Sequence, residues 1–237
     1  NIKETLIFPL IWISIICLLI ALTNFSSSVL LFVTCIILLF ISRVPIKYLS
    51  VLLISFIFAG SIAMFIGQRG QTVISRFENF IEKKEIPFQL KQAYIAVSTG
   101  GLFGKGPGKS NQKNFLPQSY SDFIYAIIIE EYGLLTGLFV LVLYLFLLYR
   151  GLVTLMKSER AFGGLLSAGL SFALVIQAII NMCVVVGLLP VTGLTLPLVS
   201  MGGTSQLFTG ITLGIILSVS RYNEDENNNN LVYDKII

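Results

Sequence analysis

An all-α fold, a polytopic bundle of membrane-spanning helices, is predicted by three observations. Hydrophobic residues make up 55% of the 237-residue chain and charged residues only 12%, whereas soluble domains carry roughly 25% charged residues. Mean hydropathy is +0.88. The apolar residues are gathered into runs near the roughly 17 to 25 residues that a helix needs to cross a hydrocarbon core. The same composition excludes several classes of function. Basic residues exceed acidic ones by four, 16 against 12, but they are spread through loops and leave no nucleic-acid footprint. Cys17, Cys35 and Cys183 lie inside apolar runs, with no CxxC pair and no histidine in the chain. That pattern argues against a disulfide framework or a Cys/His zinc site.

Six spans are expected, at about 6–22, 26–42, 49–66, 123–149, 163–186 and 204–219, so residues 1–221 form one membrane domain. The first run follows Lys3 and Glu4 and carries Trp12. It is too long for the apolar region of a signal peptide, and no small-residue cleavage site follows it. The chain begins with Asn1 rather than Met and is read as a fragment or a processed product. A polar turn, residues 23–28, leads to the second span, and Arg43, Pro45 and Lys47 separate it from the third. The fourth run, after Asp122, is long and interrupted by Glu130 and Glu131, and is expected to be one tilted helix that starts outside the membrane. The fifth carries Gln177 and Asn181 on one face, a spacing that suits interhelical hydrogen bonds. Before the sixth, residues 187–203 (GLLPVTGLTLPLVSMGG) read either as a broken helix folding back into the bundle, tolerated only where buried or lining a cavity, or as a simple turn. Residues 222–237, with the run NEDENNNN, are expected to be a disordered cytoplasmic tail.

Charge sets the orientation. Arg43 and Lys47, then Arg150, Lys157 and Arg160, then Arg221 occupy alternate connections, whereas 23–28 and 187–203 carry no charge. The positive-inside rule makes the charged set cytoplasmic, with both ends of this chain. The long loop 67–121 is then extracytoplasmic.

That loop holds most of the chain's charge. Arg69, Arg76, Lys83, Lys84, Lys91, Lys105, Lys109 and Lys113 face Glu78, Glu82, Glu85 and, at its membrane edge, Asp122, eight basic groups against four acidic. Such an excess suits an anionic ligand at the outer surface, a lipid phosphate or diphosphate in particular, although charge runs are also commonly solvated faces. Residues 76–84 (RFENFIEKK) read as a short amphipathic helix at the membrane surface, and 89–97 as another short helix. The run from Gly100 to Lys109 resembles a phosphate-cradling loop without being a Walker A motif, and it reads equally as a flexible turn.

Asp122 allows two readings. A carboxylate at the start of a membrane-entering helix is a natural cap or first-turn acid. It is equally a candidate general base at the water–lipid boundary. An acid pair with Glu130 is disfavoured, because eight residues of helix span about 12 Å, beyond the roughly 5 to 9.5 Å that paired carboxylates use. Glu130 and Glu131, costly in lipid, should face the bundle interior or a wet cavity and are assigned to a polar network with Asn181 and Pro190.

The Gly-rich segment, Leu116-Pro117, Asp122-Phe123-Ile124, the EE-x-G of Glu130 to Gly133, the N-x(8)-P-x-T-G of Asn181 to Gly193 and the S-x-G-G of Ser200 to Gly203 occur in that order. Together they resemble the SEDS family of shape, elongation, division and sporulation proteins, closer to its division branch (FtsW-like) than to its elongation branch (RodA-like). The resemblance runs from Leu6 through Arg221. It implies a multi-pass peptidoglycan glycosyltransferase of cell-wall biogenesis, acting in cell division and cell shape in the bacterial cytoplasmic (inner) membrane. Such an enzyme polymerises lipid II into glycan strands and releases undecaprenyl diphosphate. By the same resemblance Asp122 is the catalytic acid, and a class B penicillin-binding protein and other division proteins are the partners. Lys105, Lys109, Lys113, Arg76, Gln92, Ser200 and Gly202 are the expected substrate-binding residues. A divalent cation, Mg or Mn, is the possible cofactor, with no metal ligands assigned. A lipid-linked precursor flippase or a non-catalytic division scaffold are the alternatives. Tyr120-Ser121 stand where the family often has His-Thr, and residues 23–27 replace its acidic Pro-Asp-x-Gly-Thr motif. About four of the family's roughly ten spans have no counterpart here, so the resemblance implies that activity needs more chain than this sequence holds.

Overall fold

A computed structural model describes residues 2–66, 70–82, 87–116, 119–158 and 160–233. Arg69, Lys83, Lys84, Glu85 and Pro117 lie outside the described residues. The chain forms helices α1 (Ile2–Thr23), α2 (Phe25–Ile41), α3 (Ile46–Ile66), α4 (Gly70–Glu82), α5 (Phe88–Gly100), α6 (Ile124–Tyr132), α7 (Leu134–Lys157), α8 (Ala161–Val185) and α9 (Gly203–Tyr233), with a 3-10 turn at Gln112–Asn114. There is no strand among the described residues, and the all-α bundle is the fold. Leu6–Thr23, Leu134–Lys157, Ala161–Val185 and Gly203–Asn223 are long and apolar enough to cross a membrane, and Phe25–Ile41 and Ile46–Ser61 are shorter apolar helices.

The first three helices form a subassembly in which α1 packs on α2 and α3, and α2 reaches across to α8. Its core is Cys17, Phe32 and Leu52, with Phe32 stacked on Phe56 at 3.8 Å. The polar turn between α1 and α2 shrinks to one residue, Asn24, whose side chain accepts from the Ser27 N–H at 3.2 Å and caps α2. A cap at this position satisfies one of the helix's otherwise unpaired N–H groups. Ser28 is then free to turn inward and donate to the Cys17 carbonyl at 2.6 Å.

The second subassembly holds the site. Helices α7 and α8 pack closely, with α9 against both and α5 laid over α6. Gly151 makes the close α7–α8 approach possible, because a Cβ there would stand 2.2 Å from Ser171 Oγ. Small residues at helix crossings serve this purpose in lipid, where packing rather than water exclusion drives association.

Two expectations are corrected. The run 123–149 is not one tilted helix: it breaks at Gly133, φ +88°, into α6 and α7. The break is made by the Gly-rich loop, whose Gly101 and Leu102 carbonyls accept from the N–H groups of Leu134 and Leu135 at 2.9 and 3.4 Å. Residues 222–233 continue α9 as helix instead of forming an unfolded tail. The segment carries no proline or glycine that would stop the helix leaving the membrane domain.

Candidate functional site

Asp122 sits in a turn, residues 119–123, that precedes α6. It does not cap that helix. The N-cap position is Phe123, with no side-chain cap bond. The half-buried Asp122 carboxylate takes one hydrogen bond among the described residues, from Ser121 Oγ to Oδ1 at 3.1 Å. Its other oxygen faces Gly193, where a Cβ would lie 4.0 Å from Oδ2. A carboxylate with one ligand and open lone pairs can accept a proton or a donor from outside the protein.

The turn is held by the segment that folds back between α8 and α9. Ser200 Oγ donates to the Ser121 carbonyl at 2.6 Å and accepts from the Leu196 N–H at 2.8 Å. The Met201 N–H donates to the Tyr120 carbonyl at 2.8 Å. From α8, Asn181 Nδ2 donates to the carbonyls of Asp122 and Leu194 at 2.8 and 2.7 Å. Gln177, one turn away, donates to the Thr195 carbonyl at 2.9 Å, and Tyr144 of α7 donates to that of Pro197. Within this irregular backbone the carbonyls of Leu194, Thr195 and Pro197 are thus paired to side chains. Residues 187–202 form no helix, so the broken-helix reading is not met as such, but the segment folds back onto α7, α8 and the Asp122 turn instead of making a simple turn.

The Gly-rich loop forms a clasp between α6 and α7. The N–H groups of Lys105 and Gly106 donate to the Glu130 and Glu131 carbonyls, both at 2.9 Å. These bonds satisfy the open C-terminal carbonyls of α6, while Gly101 and Leu102 satisfy the N-terminal donors of α7. A Cβ at Gly100, Gly104 or Gly133 would stand 2.2 to 2.3 Å from a facing carbonyl oxygen. Gly104→Ala is therefore expected to cost at least about 2 kcal/mol, from a left-handed backbone (φ +78°) together with the clash. Gly108→Ala, at φ +75° in open space, carries only the backbone part. Thermal unfolding in detergent should rank the two, and equal shifts would mean that the clasp does not form.

Glu130 closes the clasp from inside. It is fully buried and accepts from Lys105 Nζ at 2.6 Å, from Ser110 Oγ, and from the N–H groups of Asn111 and Gln112, both at 3.3 Å. Burial pushes its carboxyl up, but the bonds from Lys105, Ser110 and Gln112 outweigh burial and hold it below the ordinary carboxylate range.

The remaining candidates divide. Lys105 donates to Glu130 and Thr99, the latter at 2.9 Å. Lys109 is exposed, its N–H donating to the Gly106 carbonyl at 3.2 Å and its ammonium pointing to no partner among the described residues. Lys113 lies over the Tyr120 ring at 5.2 Å from its centroid, which places a cation beside the Asp122 turn. Arg76 donates to the Val191 carbonyl at 3.1 Å and, with Pro190, lines a cavity of about 620 Å³ between α4, α5 and residues 186–191. Gln92 is half-buried on α5, and Glu131 is half-buried with its carbonyl in the clasp. Ser200 is fully buried and supports the turn. Gly202 precedes α9, its carbonyl accepting from the Gln206 N–H at 2.8 Å. Ser121 was not singled out from sequence, since a serine beside an aspartate is an ordinary loop pair. Among the described residues no three of His, Cys, Asp and Glu come together.

A sequence profile described as "Cell cycle protein", the FtsW/RodA/SpoVE family, matches residues 1–225. The chain belongs to that family. It is 38% identical over 198 residues to stage V sporulation protein E of Bacillus subtilis, covering 80% of this chain and 52% of that protein. It is 37% identical over 209 residues to a probable peptidoglycan glycosyltransferase FtsW of Alkalilimnicola ehrlichii, covering 85% and 52%. The corresponding protein of Marinobacter nauticus is 44% identical over 161 residues, covering 66% and 40%. The chain thus spans about half the length of the curated relatives it matches. A chain in a structure of a peptidoglycan synthase complex that coordinates polymerization and crosslinking shares the fold, with a TM-score of 0.64, 24% identity and coverage of 85% and 56%. With its apolar helices, family membership makes this a multi-pass membrane protein.

Proposed function

We propose that the protein to which this chain belongs is a peptidoglycan glycosyltransferase that polymerises lipid II into glycan strands during cell division, with Asp122 as its general base. The observation that carries the reading is the Asp122 carboxylate itself, uncapped, bonded once, and set in a turn held from two other elements. Names of relatives support the reaction class, peptidoglycan glycosyl transfer. In the proposed step Asp122 Oδ2 takes the proton of the acceptor sugar hydroxyl, and that oxygen forms a bond to the anomeric carbon of the donor. The bond from that carbon to the diphosphate breaks with inversion, and undecaprenyl diphosphate leaves with the electron pair. Lys113, tied to Tyr120, is the described cation best placed to meet the leaving charge, and such electrostatic stabilisation is commonly a large catalytic term.

A divalent cation, Mg or Mn, would find one carboxylate here, so it fits only if the lipid diphosphate supplies further oxygens, as Mg sites commonly arrange. It would neutralise charge on the leaving group. The orientation proposed has both ends of this chain in the cytoplasm and the segment 67–121 outside, where a class B penicillin-binding protein would crosslink the strands. The test is polymerisation of fluorescent lipid II by the full-length protein with that partner. Long strands resolved on a gel are expected. Lipid moved across a vesicle membrane without strands would turn the reading to a transporter, and neither activity would turn it to a scaffold.

A further inference from the structure

We propose that Ser200 is a positioning residue for Asp122, acting with Asn181 as a clamp on the two peptide planes that flank the Asp122 α-carbon. The proposal rests on the reading of Asp122 as the base.

The Ser121 carbonyl lies in the plane before that α-carbon and accepts from Ser200 Oγ at 2.6 Å. The Asp122 carbonyl lies in the plane after it and accepts from Asn181 Nδ2 at 2.8 Å. With both planes held, φ and ψ of Asp122 are fixed, and so is the direction of its Cα–Cβ bond. Only side-chain rotation is left, and Ser121 Oγ biases that through Oδ1. Ser200 and Asn181 are each 2% exposed, so water has little access to the two donors. Each clamp also grips the re-entrant segment, Ser200 through the Leu196 N–H and Asn181 through the Leu194 carbonyl, beside the Gly193 that faces Oδ2. The segment and the carboxylate therefore move as one body, although no side chain of the clamp touches the carboxylate. The Met201 N–H bond to the Tyr120 carbonyl fastens the same turn one plane earlier, but only the Ser200 and Asn181 bonds reach the two planes that flank the Asp122 α-carbon.

The functional weight of such a clamp is large, because displacing a reacting group by about 1 Å can lower a rate about 10²-fold. In the full-length protein with its penicillin-binding partner, Ser200→Ala is expected to lower kcat for lipid II 10- to 100-fold and leave KM within about twofold. Made in the Asp122→Asn background, the same substitution should lower the residual rate no further, because a residue that acts through Asp122 has nothing left to position. Ser200→Cys, of near-equal volume, supplies the same comparison if the alanine variant does not accumulate. Wild-type kcat in the Ser200 variant, or losses that multiply in the double variant, would overturn the proposal and leave Ser200 a packing residue. Normal strand synthesis by Asp122→Asn alone would instead sink the base reading, and the clamp's catalytic role with it.

Discussion

Asp122→Asn is expected to lower strand synthesis by about 10²- to 10⁴-fold, the range over which general bases contribute. The substitution is informative because the structure isolates it. The amide keeps the shape of the carboxylate and can still accept from Ser121 Oγ, and the bonds from Ser200 and Asn181 go to backbone carbonyls that the change does not alter. No helix cap is lost, because Phe123 occupies that position. What disappears is the ability to take a proton, together with a negative charge near the start of α6 that is worth about 0.3 to 1 kcal/mol of stability. Accumulation and thermal midpoint should therefore stay close to wild type while lipid II polymerisation collapses. Asp122→Glu, which keeps the base but moves it by about a bond length, should retain more activity than the amide. An asparagine variant that polymerises normally would return Asp122 to the role of a surface acid.

The bundle was legible because composition and run length are properties of single segments. The apolar runs beginning near Leu6, Val29 and Leu49 lie in α1, α2 and α3, and the Gln177 and Asn181 face of α8 could be read from a four-residue spacing. What stayed hidden depends on contacts between distant residues. Apolar periodicity runs through Gly133 without a signal, and the break appears only when the carbonyls of Gly101 and Leu102 arrive to cap α7. The glycines of 100–108 looked like a ligand loop because sequence shows that backbone can come close there, but not to what. Lys105 counted as a free cation until Glu130, 25 residues on, took it. Asp122 itself stood out as an acid at a membrane edge, yet Ser200 and Asn181 lie 79 and 59 residues from the carbonyls they hold. Such pairings leave no local pattern.

The Glu130–Lys105 pair yields the largest expected effect on stability. Glu130→Ala removes a fully buried carboxylate and leaves the Lys105 ammonium, only 28% exposed, with Thr99 alone. Ser110 Oγ and the N–H groups of Asn111 and Gln112 lose their acceptor in the same step. Removing one partner of a buried pair costs about 3 to 5 kcal/mol, chiefly because the other charge stays desolvated. The mirror change, Lys105→Met, should cost a similar amount, and joining it to Glu130→Leu should cost less than the two singles together, since no charge is then stranded. The pair also predicts a pH response with a definite sign. The Glu130 carboxyl is held below its ordinary value of 4.5, so its contribution is complete above that pH. It is lost as the pH falls through the lower folded-state value, where the native carboxylate takes up its proton. Thermal midpoints measured downward from pH 6 should fall more steeply for wild type than for the Glu130→Leu, Lys105→Met double variant. Proteolysis within 100–116 should accelerate over the same interval in wild type. Parallel pH profiles would mean that the clasp does not depend on the ionised pair.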